Sequence, residues 1–215
     1  MNKTPMYLAA LVLGSFAVAG VTLVAVTHAA MDQRILENAR LAMQRKLEVI
    51  VPQGQFDNDP LEDRILVSNP GLLGTAETQV YRVRRGGQPV ALILNPVVPN
   101  GYAGPIELMV SVLHDGTIGG VRVLSHHETP GLGDKIEEAK SQWILTFDGK
   151  SLGQPPPDDW AVRRDGGAFD QFTGATITPR AIVAAVKNAL LFVKDQGEGL
   201  YAAPPVEPQS TKESS

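Results

Sequence analysis

The chain has 215 residues, of which 43% are hydrophobic, 20% charged and 6% aromatic, with a formal net charge of −4 at pH 7. This composition excludes collagen-like and wholly disordered chains and allows one folded domain with additional segments. The negative charge, with no basic stripe, excludes a groove for nucleic acid. The sequence has no cysteine, which excludes disulfides, iron–sulfur ligation and thiolate metal sites. Its four scattered histidines predict no metal centre.

Residues 1–30 are predicted to form a transmembrane anchor in contact with lipid. The run from Met6 to Ala30 has no charged residue and is rich in Leu, Val and Ala. At about 1.5 Å per residue it can cross a hydrocarbon core of about 30 Å. A cleaved secretory signal is the alternative, since Lys3 gives a positive amino-terminal region, but the run is long for a signal peptide. The flanking charges leave the orientation open.

Residues 31–69 are predicted to form a helical stalk followed by a connection. From Met31 to Ile50 the apolar residues recur at helical spacing. Pro52 is predicted to end this helix, and residues 53–69 have the polar, Gly- and Pro-containing character of a loop.

Residues 70–196 are predicted to form one α+β domain of antiparallel strands with flanking helices. The predicted strands are Gln79–Val83, Val90–Leu94, Ile106–Leu113, Ile118–Leu124 and a short one at Trp160–Arg163. Asp115-Gly116 is a hairpin signal between two of them. The predicted helices are Asp134–Trp143, with Asp134 and Glu137 as a capping box, and Pro179–Lys194. Residues 197–215 are predicted to form a flexible, solvated tail.

The segment 170–179 reads Asp-Gln-Phe-Thr-Gly-Ala-Thr-Ile-Thr-Pro. Thr178 fits as the N-cap of a helix and Pro179 as its first residue. A helix amino terminus presents N–H groups and a partial positive charge, which suit a phosphate. An ordinary cap after a turn is the alternative. The candidate phosphate contacts are Thr173, Gly174, Ala175, Thr176 and Thr178.

The segment 128–136 reads Glu-Thr-Pro-Gly-Leu-Gly-Asp-Lys-Ile. Its proline and two glycines favour a sharp turn that could lay backbone amides against a planar ring or a phosphate, although most Pro-Gly turns merely reverse the chain. The preceding His126 and His127 would point to opposite sides of a strand, so we interpret them as pocket-rim or surface residues.

Together, the Asp-x-x-Thr-Gly-Ala-Thr motif at 170–176 and the segment 128–136 resemble the FMN-binding domain of membrane electron-transport complexes. More narrowly, the chain is similar to the RnfG (RsxG) family, whose members belong to the Rnf (Rsx) complex. The resemblance extends over the anchor and over residues 101–106 and 143–150. In that family FMN is joined through its phosphate to the last threonine of the motif, which corresponds to Thr176. Thr173 stands where the family commonly has serine.

The resemblance also implies roles for other residues. A flavin transferase that uses FAD as donor would attach the FMN, with Asp170 in its recognition sequence. Tyr102 is a candidate for stacking on the flavin ring. Lys135 either influences the charge of the reduced flavin or pairs with Glu138 on the predicted helix, and we favour the pair. The expected contacts of the ring or ribityl chain are Glu128, Thr129, Gly131, Leu132 and Gly133.

The function that the resemblance implies is electron relay in a complex that links ferredoxin and NAD redox chemistry to ion movement. The flavin supplies the redox chemistry and the protein supplies position and tuning, so Thr176 is an attachment residue. The expected partners are the other membrane and peripheral subunits of the complex. The expected location is the bacterial inner membrane, as a single-pass protein with its soluble domain in the periplasm.

Three alternatives remain open. The related flavin-carrying subunit of the sodium-pumping NADH:quinone reductase shares the FMN domain and the threonine linkage. A membrane-tethered assembly or binding protein without flavin would use both motifs only as turns. An anchored hydrolase with Thr176 as nucleophile is disfavoured, because no His/Asp pair or metal-ligand set lies close in the sequence.

Overall fold

A computed structural model describes residues 4–51 and 54–206 of the chain. The chain divides into two units, residues 1–46 and residues 47–215. Pro52, which was predicted to end the stalk helix, and residues 207–215 of the predicted tail lie outside the described residues.

The first unit belongs to one long helix, α1 (Thr4–Ile50), whose last turn contributes to the second unit. Its segment Leu11–His28 has a mean hydropathy of 1.9 and is long and apolar enough to cross a membrane. The helical continuation predicted from Met31 to Ile50 is confirmed. In the last turn Leu47 and Ile50 are buried, which explains why the apolar period persists up to that point.

The second unit is built on a six-stranded sheet in which every pairing is antiparallel. The strands are β1 (Arg64–Val67), β2 (Thr78–Arg85), β3 (Gln88–Leu94), β4 (Val97–Val98), β5 (Ile106–Leu113) and β6 (Ile118–Ser125). Their order is β1-β2-β3-β5-β4, and β6 pairs with β5. The four strands predicted between residues 79 and 124 are confirmed, and β1 and β4 were missed.

Two further helices flank the sheet, the short α2 (Pro70–Leu73) and the long α3 (Ile177–Ala202). Alternate apolar residues of β3 and β5 form one buried cluster with the apolar face of α3, including Leu94, Val110 and Val186. This burial gives the domain its core, because the strands present alternate side chains to the same face. The predicted α+β class is therefore confirmed.

The helix predicted over Asp134–Trp143 was wrong. This region forms two short 3₁₀ turns, Gly133–Ile136 and Gln142–Phe147. The first has no side-chain cap, because the Asp134 carboxylate binds the Lys140 ammonium at 2.8 Å instead. The second starts at Ser141, whose Oγ accepts a hydrogen bond from the Trp143 N–H at 3.1 Å. The capping box therefore does not form.

The strand predicted at Trp160–Arg163 is reduced to one bridge between Val162 and Phe169, and a 3₁₀ turn begins at Arg163. Both Trp160 and Phe169 are buried, with ring centroids 5.1 Å apart. The apolar residues that suggested a strand serve an aromatic cluster instead.

The carboxyl end of α3 lies eight residues beyond the predicted end at Lys194, so residues 197–202 are helical and Leu200 is buried. Two arginines of β2 receive this end. Arg82 donates to the Leu200 carbonyl at 3.2 Å, and Arg84 donates to the Tyr201 carbonyl at 2.6 Å. The carbonyls that a helix leaves unpaired at its carboxyl end are thus bound by side chains of the sheet.

Candidate cofactor site

A pocket of about 270 Å³ lies at the amino-terminal end of α3. Three segments that are distant in the sequence form its walls, and residues from both motifs meet there. The lining residues are Tyr102, Glu128, Thr129, Leu132, Gly133, Gly174, Ala175, Thr176, Ile177 and Thr178. Of the predicted contacts, Thr173 and Gly131 do not line this pocket, and Ile177 was not predicted. Its place in the motif, directly after Thr176, was the signal that could have identified it.

Glu128 joins the three walls. Its side chain is buried, with the residue only 4% exposed. Its Oε1 accepts a hydrogen bond from the Ala103 N–H at 3.1 Å, and its Oε2 accepts one from the Thr178 hydroxyl at 2.7 Å. A buried carboxylate needs such donors, because burial without them is costly. Glu128 therefore fixes the relative position of the loop that contains Tyr102, its own loop and the start of α3.

The start of α3 differs from the prediction. The helix begins at Ile177 with Thr176 at the N-cap position, whereas Thr178 and Pro179 were predicted as N-cap and first residue. Thr178 cannot act as the cap, because its hydroxyl is buried and binds Glu128. The Thr176 side chain makes no capping hydrogen bond. The first N–H groups of α3 therefore lie at the pocket without a side-chain cap.

The three motif threonines occupy different environments. Thr173 is exposed and does not line the pocket. Thr178 is 0% exposed and its hydroxyl is bound. Thr176 is partly exposed and lines the pocket. Of these three hydroxyls, Thr176 carries the one that is both accessible and located at the helix start.

Two glycines allow the pocket walls to approach each other. Gly174 has φ = +83°, a conformation that residues with a side chain rarely adopt. A Cβ on Gly133 would lie 2.5 Å from Glu128 Oε2 and 3.2 Å from the Thr178 hydroxyl. The glycines of both motifs are thus explained by geometry at this site.

Three large apolar side chains at the pocket are exposed: Tyr102 by 68%, Leu132 by 43% and Ile177 by 46%. Exposed large apolar groups that cluster in this way commonly mark a binding site. The pocket volume lies just below the range of about 300–1,000 Å³ that is typical of ligand sites. A cofactor seated here would therefore keep part of its surface outside the pocket, against these side chains.

Neither histidine before the second segment lines the pocket. His127 is exposed, while His126 is largely buried and binds the backbone of Glu128 from behind. The Lys135–Glu138 pair that we favoured was wrong, because Glu138 pairs with Arg122 at 2.8 Å. Asp170 is exposed and pairs with Arg163 at 2.9 Å, beside the motif but outside the pocket lining.

Carboxylates behind the second segment have pKa values below their usual range. The hydrogen bond from Lys140 is the main cause for both Asp134 and Glu137. The Gly131 N–H lowers the pKa of Asp134 further, and His126 lowers that of Glu137. Both carboxylates are therefore held in the charged form around this loop.

The residues of the pocket fit FMN. The uncapped N–H groups of α3 and the close backbone approach at Gly174 suit a phosphate. The exposed apolar side chains suit a planar aromatic ring. Within residues 4–51 and 54–206, the pocket lining includes neither His nor Asp, so a hydrolase with Thr176 as nucleophile lacks a conventional base there.

Comparison with known proteins agrees with this geometry. The FMN-binding domain family matches residues 101–191, which contain the whole pocket, and the RnfG N-terminal region family matches residues 1–50. The class that the fold and the site define is thus a flavoprotein with an amino-terminal apolar helix.

Curated relatives narrow this class, and all three described here are the G subunit of an ion-translocating oxidoreductase complex. The protein from Pseudomonas aeruginosa (strain UCBPP-PA14) is 50% identical over 90% of this chain and 91% of its own length. Those from Pseudoalteromonas atlantica and Vibrio cholerae are each 44% identical, over 90% of this chain and 90% and 93% of their own lengths. The chain belongs to this RnfG family. The resemblance seen in the sequence is confirmed, and the alternative of a quinone reductase subunit is disfavoured.

Proposed function

We propose that this chain is a membrane-anchored electron carrier of an Rnf-type complex, with FMN held by a phosphoester bond to Thr176. The observation that carries this assignment is the position of the Thr176 hydroxyl, which is accessible and lies at the uncapped start of α3. When bound, the flavin accepts and passes on electrons, and the other subunits of the complex are its redox partners.

Attachment requires a bond exchange at phosphorus without any redox change. Thr176 Oγ forms the bond to the FMN phosphorus of FAD, the phosphoanhydride bond to AMP breaks, and AMP leaves while the hydroxyl proton passes to a base. Threonine is a weak nucleophile without an activating base. A flavin transferase therefore performs this step, and the exposed Asp170 is available for its recognition.

The start of α3 stabilises the product. A phosphodiester keeps one negative charge, and the positive end of a helix dipole stabilises such a charge by about 0.3–1 kcal/mol when exposed and up to about 2 kcal/mol when partly buried. Glu128 is kept from opposing this charge directly, because both of its oxygens are occupied by donors from the protein. The N–H groups of α3 remain for the phosphate.

The first experiment tests the attachment. The full chain is produced together with a flavin transferase and FAD, and intact mass and peptide mapping are recorded for the wild type, Thr176→Ala and the matched control Thr173→Ala. We expect a yellow wild type that is heavier by FMN less one water, with the adduct on the peptide containing Thr176. Thr176→Ala should carry no adduct and Thr173→Ala should retain it.

An absence of adduct from the wild type, with a transferase proven active on another substrate, would overturn the covalent assignment. That result would support the alternative of a tethered assembly or binding protein without flavin. An adduct that persists in Thr176→Ala would move the attachment to another residue.

We place the soluble domain on the periplasmic side of the inner membrane, which is the side the family resemblance implies. Because the chain has no cysteine, single cysteines can report its orientation. Asp158→Cys lies in an exposed turn of the domain, and Asn2→Cys marks the other side of the apolar run. A membrane-impermeant maleimide added to cells with a permeabilised outer membrane should label Asp158→Cys and not Asn2→Cys. The opposite pattern would contradict this orientation.

A further inference from the structure

The loop 128–134, which forms one wall of the pocket, is held from behind by side chains that do not line the pocket. His126 precedes the loop, Asp134 ends it, and Glu137 and Lys140 follow it. Hydrogen bonds and ion pairs connect these four side chains to each other and to the backbone of Glu128.

His126 makes the link to Glu128. Its Nδ1 accepts the backbone N–H of Glu128 at 3.0 Å, so the ring proton lies on Nε2. That Nε2–H donates to Glu137 Oε1 at 2.9 Å. The His126 side chain is only 12% exposed, so both hydrogen bonds are shielded from water. The two ring nitrogens therefore have distinct roles, one as acceptor and one as donor.

Lys140 closes the ring of contacts. Its ammonium lies 2.7 Å from Glu137 Oε1 and 2.8 Å from Asp134 Oδ2. The Asp134 side chain is only 5% exposed, and its backbone N–H lies 3.4 Å from the Thr129 carbonyl. Contacts thus run from the first residue of the loop, through three side chains, back to its last residue.

Such an outer set of contacts fixes the residues that line the pocket. The Glu128 carboxylate is within hydrogen-bonding distance of Ala103 and Thr178 only if its backbone stays where His126 holds it. Supporting groups of this kind determine the geometry of a site even though they do not touch the ligand.

We propose that His126 is a positioning residue for the flavin, which orients Glu128 through Nδ1 and the loop 128–134 through Nε2 and Glu137. This inference rests on the proposed function, since it concerns the environment of the FMN on Thr176. Loss of His126 should leave attachment possible but alter the surroundings of the bound flavin.

Three variants separate the two ring nitrogens. His126→Asn keeps an acceptor near the position of Nδ1 and loses the reach to Glu137. His126→Gln keeps a donor near the position of Nε2 and loses the acceptor for the Glu128 N–H. His126→Ala loses both. His127→Ala is the matched control, since His127 is adjacent in the sequence and exposed.

The experiment uses the full chain in detergent, produced with the transferase. Intact mass first measures the flavin content, and the visible circular dichroism and midpoint potential of the bound flavin are then recorded for samples of equal content. We expect His126→Ala to lose most of the visible dichroism and to shift the potential, His126→Asn to restore most of the wild-type signal, and His127→Ala to match the wild type. His126→Gln should fall between His126→Ala and His126→Asn.

The outcomes separate this inference from the proposed function. A wild type without flavin overturns both. A flavinylated wild type with the same dichroism and potential as His126→Ala overturns only the role of His126. Should His126→Ala fail to fold, the Asn and Gln variants decide, because equal signals from these two contradict the distinct roles of Nδ1 and Nε2.

Discussion

The two ends of α3 border cavities of different character. At its carboxyl end lies the larger, of about 490 Å³, lined by the β5–β6 turn, residues 151–153 and the last turns of the helix, with several charged side chains. At its amino end lies the pocket of about 270 Å³, lined mainly by threonines, glycines and apolar side chains. Size alone would favour the carboxyl end, yet the motifs meet at the amino end.

The backbone explains the difference. At the carboxyl end, Arg82 and Arg84 of the sheet already bind the helix carbonyls. At the amino end, the Thr176 side chain leaves the first N–H groups uncapped. One end of the helix is thus completed by the protein itself, and the other is left for a ligand of negative charge. Unsatisfied backbone groups identify the site better than cavity volume does.

The largest expected effect is on the closed end. Arg82→Met should lower the free energy of unfolding by about 3 kcal/mol, because it removes a buried ion pair with Asp63 and a donor to the α3 carbonyls. Arg84 still pairs with Asp63, which keeps the loss at the lower end of the usual range. Urea unfolding in detergent measures it.

Arg85→Met is the control for this prediction, since Arg85 lies at the exposed end of the same strand and should cost no more than about 0.5 kcal/mol. Equal losses in the two variants would refute the special role of Arg82 at the helix end.

A smaller effect is expected at the open end. Gly133→Ala places a Cβ 2.5 Å from Glu128 Oε2, so it should destabilise the domain by about 1–3 kcal/mol and reduce the yield of flavin adduct. Unfolding and intact mass are measured together. Gly153→Ala, beside the larger cavity, has no atom nearer than 4.0 Å and should change neither quantity. A loss of adduct in Gly153→Ala would shift attention to the carboxyl end.

The smallest effect concerns pH. Lys140 lowers the pKa values of Asp134 and Glu137 in the folded chain. A lowered folded pKa stabilises the fold above the ordinary carboxylate pKa of about 4, and this stabilisation is lost as the pH falls through the lowered value. Lys140→Met should therefore melt at a lower temperature than the wild type at pH 7 and approach it near pH 3.

Thermal unfolding between pH 7 and pH 3 tests this. Lys187→Met serves as control, because the Lys187 ammonium donates to the backbone carbonyl of Pro157, a group that does not titrate in this range. A constant difference between Lys140→Met and the wild type across this range would be inconsistent with the assigned cause.

Local pattern predicted the strands well and the long-range features poorly. Asp115-Gly116 and the alternation around it identified the β5–β6 hairpin, since a hairpin is defined by neighbours in the sequence. The helix over Asp134–Trp143 was predicted from a local capping pattern. It failed because Asp134 and Glu137 bind Lys140 and His126. The end of α3 was missed because the arginines that receive it belong to β2, more than 100 residues away.

The site itself was predicted more completely than the fold around it. Nine of the residues that line the pocket belong to the set expected from the two motifs and Tyr102. Their grouping followed from the resemblance, whereas the residue that joins the walls, Glu128, was expected only as a flavin contact. Its hydrogen bonds to Ala103 and Thr178 depend on three segments meeting in space, which no local pattern encodes.

The distance in sequence between the walls, from Tyr102 to Thr178, has a consequence for biosynthesis. A nascent chain that has not yet been extended through Thr178 lacks the third wall, and an unfolded one has no pocket at all. If the transferase acts on the assembled pocket, flavin is added late and only to molecules that have matured correctly. The yellow colour of a preparation would then count its properly matured molecules, and its absorbance relative to total protein would be a direct assay of maturation in cells.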